Sequence, residues 1–289
     1  MKLKGAEKFR EKTPIFTGKK IIIIPLYTIL IAVISFVVLS YFDILPLFFY
    51  QNDVLSLISI IFPILGVMLL ESIAFFMIYQ VWHLRDDLIA KYGELAYQRM
   101  FIVGFGGVVI MIGVAIHNIF SIFFWQGPFW TKLPFSLFSS PITIYLPGEG
   151  IFIWIRIIGG VLCLAIGLST LIRAFFTFGV DYMTVVYLYF PKESEVQDHK
   201  IYSVLRHPAY AAVIIISLGG FILQLNLYSL SFFILLYLAL YIHIHYVEEK
   251  ELIERFGETY KTYRKNTRAF FVSLKDIGKF FSFLFGWNE

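Results

Sequence analysis

Apolar residues run along this chain in long blocks, separated by short charged clusters. Ile21 to Phe42 contains no charged residue. As a helix rising about 1.5 Å per residue, that block reaches about 33 Å, enough to cross a hydrocarbon core of about 30 Å. A signal peptide would have a shorter apolar region, followed by small residues at a cleavage point. Tyr41-Phe42-Asp43 offers no such point, so an uncleaved span is expected. Val54–His83 forms a second block, interrupted by Glu71 and Pro63, and Phe101–Trp125 forms a third. The third contains Gly104, Gly106, Gly107 and Gly113, which permit close helix approach. Ile151–Phe176 is the fourth, with Arg156 and Arg173 near its ends. Between Arg206 and Glu248 there is no formal charge when histidine is neutral. Ala209–Leu223 and Tyr228–Val247 are predicted to form a hairpin there, turning at Gln224-Leu225-Asn226, with a first arm short for a span. The pattern predicts an all-α polytopic membrane protein of about six spans. Phe178–Phe190 leaves five or eight open.

Charge placement orients these spans. Seven Lys/Arg precede the first block, eight follow Val247, and further ones lie at 85–99 and 192–206. The loops at 43–53, 126–150 and 224–227 carry only Lys132. Cytoplasmic loops are enriched in Lys and Arg, so both termini are expected on the cytoplasmic side. The loop 126–150, with Pro128, Pro134, Pro141, Pro147 and many aromatics, is expected to rest on the outer membrane surface. Composition agrees: 59% of the 289 residues are hydrophobic and 15% charged, against roughly 45–50% and 25% in soluble domains. A soluble globular enzyme and a disordered chain are both excluded. One cysteine, Cys163, excludes an intrachain disulfide framework and a cysteine-cluster zinc site. The net charge of +4 is accounted for by membrane orientation, and no nucleic-acid-binding module accompanies it.

Two polar clusters flank the hairpin. Tyr202-Ser203-Val204-Leu205-Arg206-His207-Pro208-Ala209-Tyr210 precedes it. Pro208 suits the first helical turn and biases His207 toward extended backbone. Arg206 can make paired hydrogen bonds to an anion, and His207 can move a proton near neutral pH. The plainer reading of this cluster is a cationic cap on a membrane helix. His243, His245, Glu248, Glu249 and Glu251 follow the hairpin. On an α-helix His245 shares a face with Glu248 and Glu249, whereas His243 and His245 do not share one, so no metal site is expected. An ordinary solvated helix end is the plainer alternative here. The hairpin returns its two ends to one side, so Arg206 and His207 are expected to approach Glu248 and Glu249.

These residues resemble a known superfamily, the isoprenylcysteine carboxyl methyltransferases and phospholipid methyltransferases. Tyr202–Tyr210 is similar to its Y-x-x-x-R-H-P-x-Y signature, Glu248–Leu252 to E-E-x-x-L, and Phe256–Tyr263 to F-G-x-x-Y-x-x-Y. The likeness covers about 151–270. It implies methyl transfer from S-adenosyl-L-methionine to a lipid or prenylated small molecule. It also implies a cofactor side formed by Tyr202, Arg206, His207, Tyr210, Glu249 and Tyr260. Glu248, Glu249 and His245 are the expected catalytic groups, and Lys200, Arg173 and Arg264 the expected substrate-binding ones. Two departures stand out. Lys200 occupies a position that is often glycine, and His243–Val247 lacks the arginine common in the isoprenylcysteine branch. Carboxyl and amine methylation both stay open. A nicotinamide-dependent sterol or lipid reductase, sharing an R-H-P loop, is the alternative enzyme, and a transporter or scaffold the non-enzymatic alternative.

Residues 1–150 are expected to form an accessory membrane region and 271–289 an amphipathic tail, with Phe270, Leu274, Ile277 and Phe281 on one stripe. Glu71 is either a functional intramembrane acid or a polar group paired inside the bundle, with His117 as a candidate partner. Asp87–Glu94 also echoes Glu251–Glu258, without a second R-H-P element.

Overall fold

A computed structural model describes residues 4–16, 18–49, 58–59, 61–124 and 149–286. Nearly all of the predicted outer-surface loop 126–150, including its prolines and Lys132, lies outside the described residues, as do 54–57 and Trp125. The elements are helical: α1 (Ala6–Lys12), α2 (Ile23–Phe48), α3 (Phe62–His83), α4 (Arg85–Tyr92), α5 (Ala96–Phe124), α6 (Glu149–Phe178), α7 (Val180–Met183), α8 (Val186–Tyr189), α9 (Pro208–Gln224), α10 (Leu227–His243), α11 (Glu249–Phe256), α12 (Glu258–Asn266) and α13 (Ile277–Leu284). No strand occurs among the described residues.

Five helices among the described residues are long and apolar enough to cross a membrane, which makes this an all-α multi-pass membrane protein. The bundle interior holds Leu39 of α2, Val67, Leu70 and Ala74 of α3, Val114 of α5, and Phe232 and Leu236 of α10. Outward positions such as Ile29, Val37, Phe76, Ile112 and Ile158 are also apolar and exposed. In water that surface would be unfavourable; against lipid it costs nothing.

The short arm predicted for the hairpin is α9, with 17 residues, or about 25 Å. It packs along α6 through small residues. A Cβ on Gly160 would lie 2.4 Å from Leu223, and one on Gly219 would lie 3.1 Å from the Gly160 carbonyl oxygen. Arg156 of α6 donates from Nε and Nη2 to the Leu223 carbonyl at 3.2 and 3.0 Å. It therefore satisfies a carbonyl in the last turn of α9, where cations are favoured. The turn itself is tight. Leu225 adopts φ 46°, and Asn226 caps α10 by accepting from the Ser229 backbone N–H at 2.9 Å. Gln224 also donates to the Ile119 carbonyl at 2.6 Å, tying the turn to α5.

The two segments of the sequence echo end in similar local shapes. α4 and α11 each have eight residues and each ends at a glycine, Gly93 or Gly257, with nearly the same φ and ψ (56°, −131° and 57°, −131°). That positive φ is cheap only for glycine.

His117 pairs differently from the sequence expectation. Its Nε2 lies 2.9 Å from Asp43 Oδ2 and its Nδ1 3.1 Å from the Tyr228 hydroxyl. Glu71 is buried, and neither of its carboxyl oxygens has a hydrogen-bond partner among the described residues.

Candidate active site

The hairpin brings the two polar clusters together as its geometry requires. Pro208 opens α9, leaving His207 as the N-cap at φ −123°. Beyond His243, the chain makes a π-helical segment over Ile244–Glu248 before α11. The wider i→i+5 turn changes the facing of side chains, and such segments concentrate at functional sites. Here it separates two sets of groups. Glu248 and Glu249 turn into a buried network, whereas His245 stacks on Tyr241 with ring centroids 4.1 Å apart. The shared face expected for His245 and the two glutamates on an α-helix is therefore not formed.

Glu249 is the centre of the network, and its side chain is fully buried. Arg206 donates to Glu249 Oε1 from Nη2 at 2.7 Å and from Nε at 3.0 Å. Arg264 Nε lies 3.0 Å from Glu249 Oε2. His207 sits between the two acids, with Nε2 3.3 Å from Glu249 Oε1 and Nδ1 3.5 Å from Glu248 Oε1. Tyr210 donates its hydroxyl to Glu248 Oε2 at 2.8 Å. Burial favours neutral His207, but its bonds to Glu248 and Glu249 outweigh burial and raise its pKa. His207 thus bridges the two carboxylates, which favour its protonated form.

The rest of the Arg206 guanidinium holds a strap formed by the chain after α12. Nη1 donates to the Arg264 carbonyl at 2.7 Å and also to the Thr267 carbonyl. The Arg206 and His207 backbone N–H groups donate to the Arg268 and Ala269 carbonyls at 2.9 and 3.2 Å. Tyr263 donates to the Tyr202 carbonyl at 2.6 Å. Arg206 is therefore a strut whose donors are taken up by protein acceptors. Sequence reasoning missed the strap, because its contribution is backbone carbonyls, which any residue provides.

Between the strap and α10 lies a cavity of about 540 Å³. Tyr237, Tyr241, Phe270 and Phe271 supply aromatic surface, and Arg264, Lys265, Arg268 and Lys275 supply positive charge. His245 and Arg206 also line it. The aromatic side had a legible signal, since Tyr237, Tyr241 and His245 recur every four residues. Tyr260 lies behind the network; its hydroxyl is buried and has no partner among the described residues. Tyr202 is buried and rests on Phe178 at 4.5 Å between ring centroids. Burial pushes the Tyr202 phenol well above its ordinary pKa.

Of the expected substrate-binding residues, only Arg264 lines the cavity. Arg173 instead donates to the Leu284 carbonyl at 3.2 Å, fixing α13. Lys200 is exposed and adopts φ 50°. It therefore keeps the left-handed backbone that a glycine at this position would favour. No group of three or more metal-ligating side chains is found among the described residues.

Part of the chain is similar to the superfamily of integral membrane methyltransferases. More narrowly, residues 155–259 match the model of the phospholipid methyltransferase (PEMT) family, a member of that superfamily. The match runs from α6 through the hairpin and both glutamates. It stops before Tyr260, Tyr263, Arg264 and the strap. No curated protein and no solved structure matches the chain.

Proposed function

We propose that this protein is an S-adenosyl-L-methionine-dependent methyltransferase acting on a lipid, prenylated or other membrane-partitioned acceptor at the cytoplasmic face. One observation carries the reading: Arg206, His207 and Tyr210 meet Glu248 and Glu249 beside a cavity within the roughly 300–1,000 Å³ of small-molecule sites. The family match over 155–259 supports the reaction class. Charge asymmetry supports the orientation, since the end of the bundle bearing the lattice is the Lys/Arg-rich end.

The residues fit the cofactor chemically. Aromatic faces suit an adenine ring, and cationic side chains a carboxylate. Tyr237, Tyr241 and Phe270 would offer it ring surface, and Arg206 lines the cavity, while Tyr202, His207, Tyr210, Glu249 and Tyr260 lie behind that lining and would support the wall against which it rests. When bound, the cofactor supplies an activated sulfonium methyl group. The protein's own task is then alignment of the acceptor and exclusion of water. The lipid tail would follow the apolar face of α10 and Phe271. Arg264 would meet an anionic part of the head group.

Calorimetric titration of S-adenosyl-L-methionine into the protein in lipid nanodiscs tests this. Saturable binding, weakened by Glu249→Ala in a folded variant, is expected. Binding of a nicotinamide dinucleotide in its place would move the assignment to a reductase.

A further inference from the structure

Glu248, Glu249, His245 and Asp276 stand near the reaction region as candidates for moving a proton, and Asp276 and His245 line the cavity. Glu248 and Glu249 are committed. Glu249 is held by Arg206, His207 and Arg264, and Glu248 by His207 and Tyr210. Neither lines the cavity. His245 does, and its ring has a defined polarity. Nδ1 lies 3.0 Å from the Tyr241 carbonyl oxygen. A carbonyl only accepts, so Nδ1 carries the proton. In the neutral ring Nε2 then bears a lone pair. Nε2 has no hydrogen-bond partner among the described residues, and stacking on Tyr241 fixes the ring plane.

We propose that His245 is a catalytic base, accepting at Nε2 a proton from an ammonium group on the acceptor. The proposal rests on the methyltransferase reading and names its acceptor atom as nitrogen. The N–H bond of the ammonium breaks, its electron pair stays on nitrogen, and the proton forms an Nε2–H bond. The amine so produced is the nucleophile toward the donor's methyl group. A carboxylate acceptor would need no such base. The same cavity holds the carboxylate of Asp276, which suits an ammonium group, and the cations Arg264, Lys265, Arg268 and Lys275. The cations suit a phosphate attached to the same head group.

The test combines a spectroscopic and a kinetic arm, on the full chain in nanodiscs. Nitrogen-15 NMR of histidine-labelled protein, without cofactor, reads the His245 tautomer. Methyl transfer is then followed with phosphatidylethanolamine and, separately, farnesylcysteine as acceptors. His245→Ala and His245→Gln are compared with the parent protein, and cofactor binding is measured for each. An unprotonated Nε2 is expected. So is a loss of about 100-fold in kcat on phosphatidylethanolamine near neutral pH, shrinking as the pH rises past the pKa of the amine. Gln keeps a donor for the Tyr241 carbonyl but no base, so it should not rescue. A protonated Nε2 in the neutral ring, a pH-independent loss, or rescue by Gln would overturn the proposal. Transfer to farnesylcysteine alone would overturn it while sparing the methyltransferase reading. Transfer to neither lipid by the parent protein would sink both.

Discussion

Two buried histidines in this protein each sit between acid and tyrosine. His117 touches Asp43 and Tyr228; His207 touches Glu248 and Glu249 and lies beside Tyr210. Their chemistry is nearly the same, and their surroundings are not. His117 joins α2, α5 and α10 within the bundle, where it fastens the N-terminal helices to the start of the hairpin's second arm. His207 lies at the hairpin's other end, next to a strap and a cavity, and Arg206 connects it to both. The comparison teaches that the residue set alone does not make a site. A wall that a ligand can reach, and a strut that holds the wall, separate a candidate active site from a bolt.

The largest effect should come from breaking the strut. Arg206→Ala leaves Glu249 buried without its main partner and releases the strap. Removing one member of a buried pair costs about 3–5 kcal/mol. A large fall in melting temperature and loss of cofactor affinity are expected together. Substitution of the bolt should separate the two readouts. His117→Ala leaves Asp43 and Tyr228 without their shared partner, at about 1–3 kcal/mol. Thermal unfolding should occur earlier, while cofactor binding by the folded fraction stays unchanged. Equal loss of binding in this variant would erase the distinction between the two regions.

The pH dependence sharpens the comparison further. The folded-state pKa of His207 is raised above its ordinary value by Glu248 and Glu249. Its contribution is then fully present below the unfolded-state pKa and is lost as pH rises through the folded one. The stability gap between the parent protein and His207→Gln should therefore be widest at mildly acidic pH and narrow toward alkaline pH. A gap that widens with pH would contradict a protonated His207 bridge. The smallest effect is local. Lys200→Gly relieves a left-handed backbone that costs a residue with Cβ about 1–2 kcal/mol, partly offset by the extra freedom of glycine when unfolded. A gain of about 1 kcal/mol or less is expected in denaturant titration, with cofactor affinity retained.

Much of this arrangement was legible in the residues. Uncharged blocks marked the spans, because the bilayer admits few exceptions. The pairing of Arg206 and His207 with Glu248 and Glu249 followed from the hairpin, since a short turn must return the chain to the same side. Other features left no mark. The π-helical segment at Ile244–Glu248 is a matter of backbone hydrogen bonding, and it alone separated His245 from the glutamates. The partner of His117 depended on the relative height of three helices, so Asp43 could not be chosen over Glu71 from spacing. Arg173 and Arg156 stand near the ends of the fourth apolar block, and Arg173 was expected to bind substrate. In the structure they satisfy helix-end carbonyls of α13 and α9, a role that reads identically in sequence.

The central claim is that the Arg206–His207–Glu248–Glu249 lattice is one wall of a methyl-donor site facing membrane lipid. Transfer of radiolabel from methyl-tritiated S-adenosyl-L-methionine into the organic-extractable lipid of nanodiscs tests it most directly, with Glu249→Gln as the paired variant. The account predicts label in the lipid fraction with the parent protein and its loss in the variant. No lipid labelling by folded parent protein, across nanodiscs containing both amine and carboxylate acceptors, would contradict it.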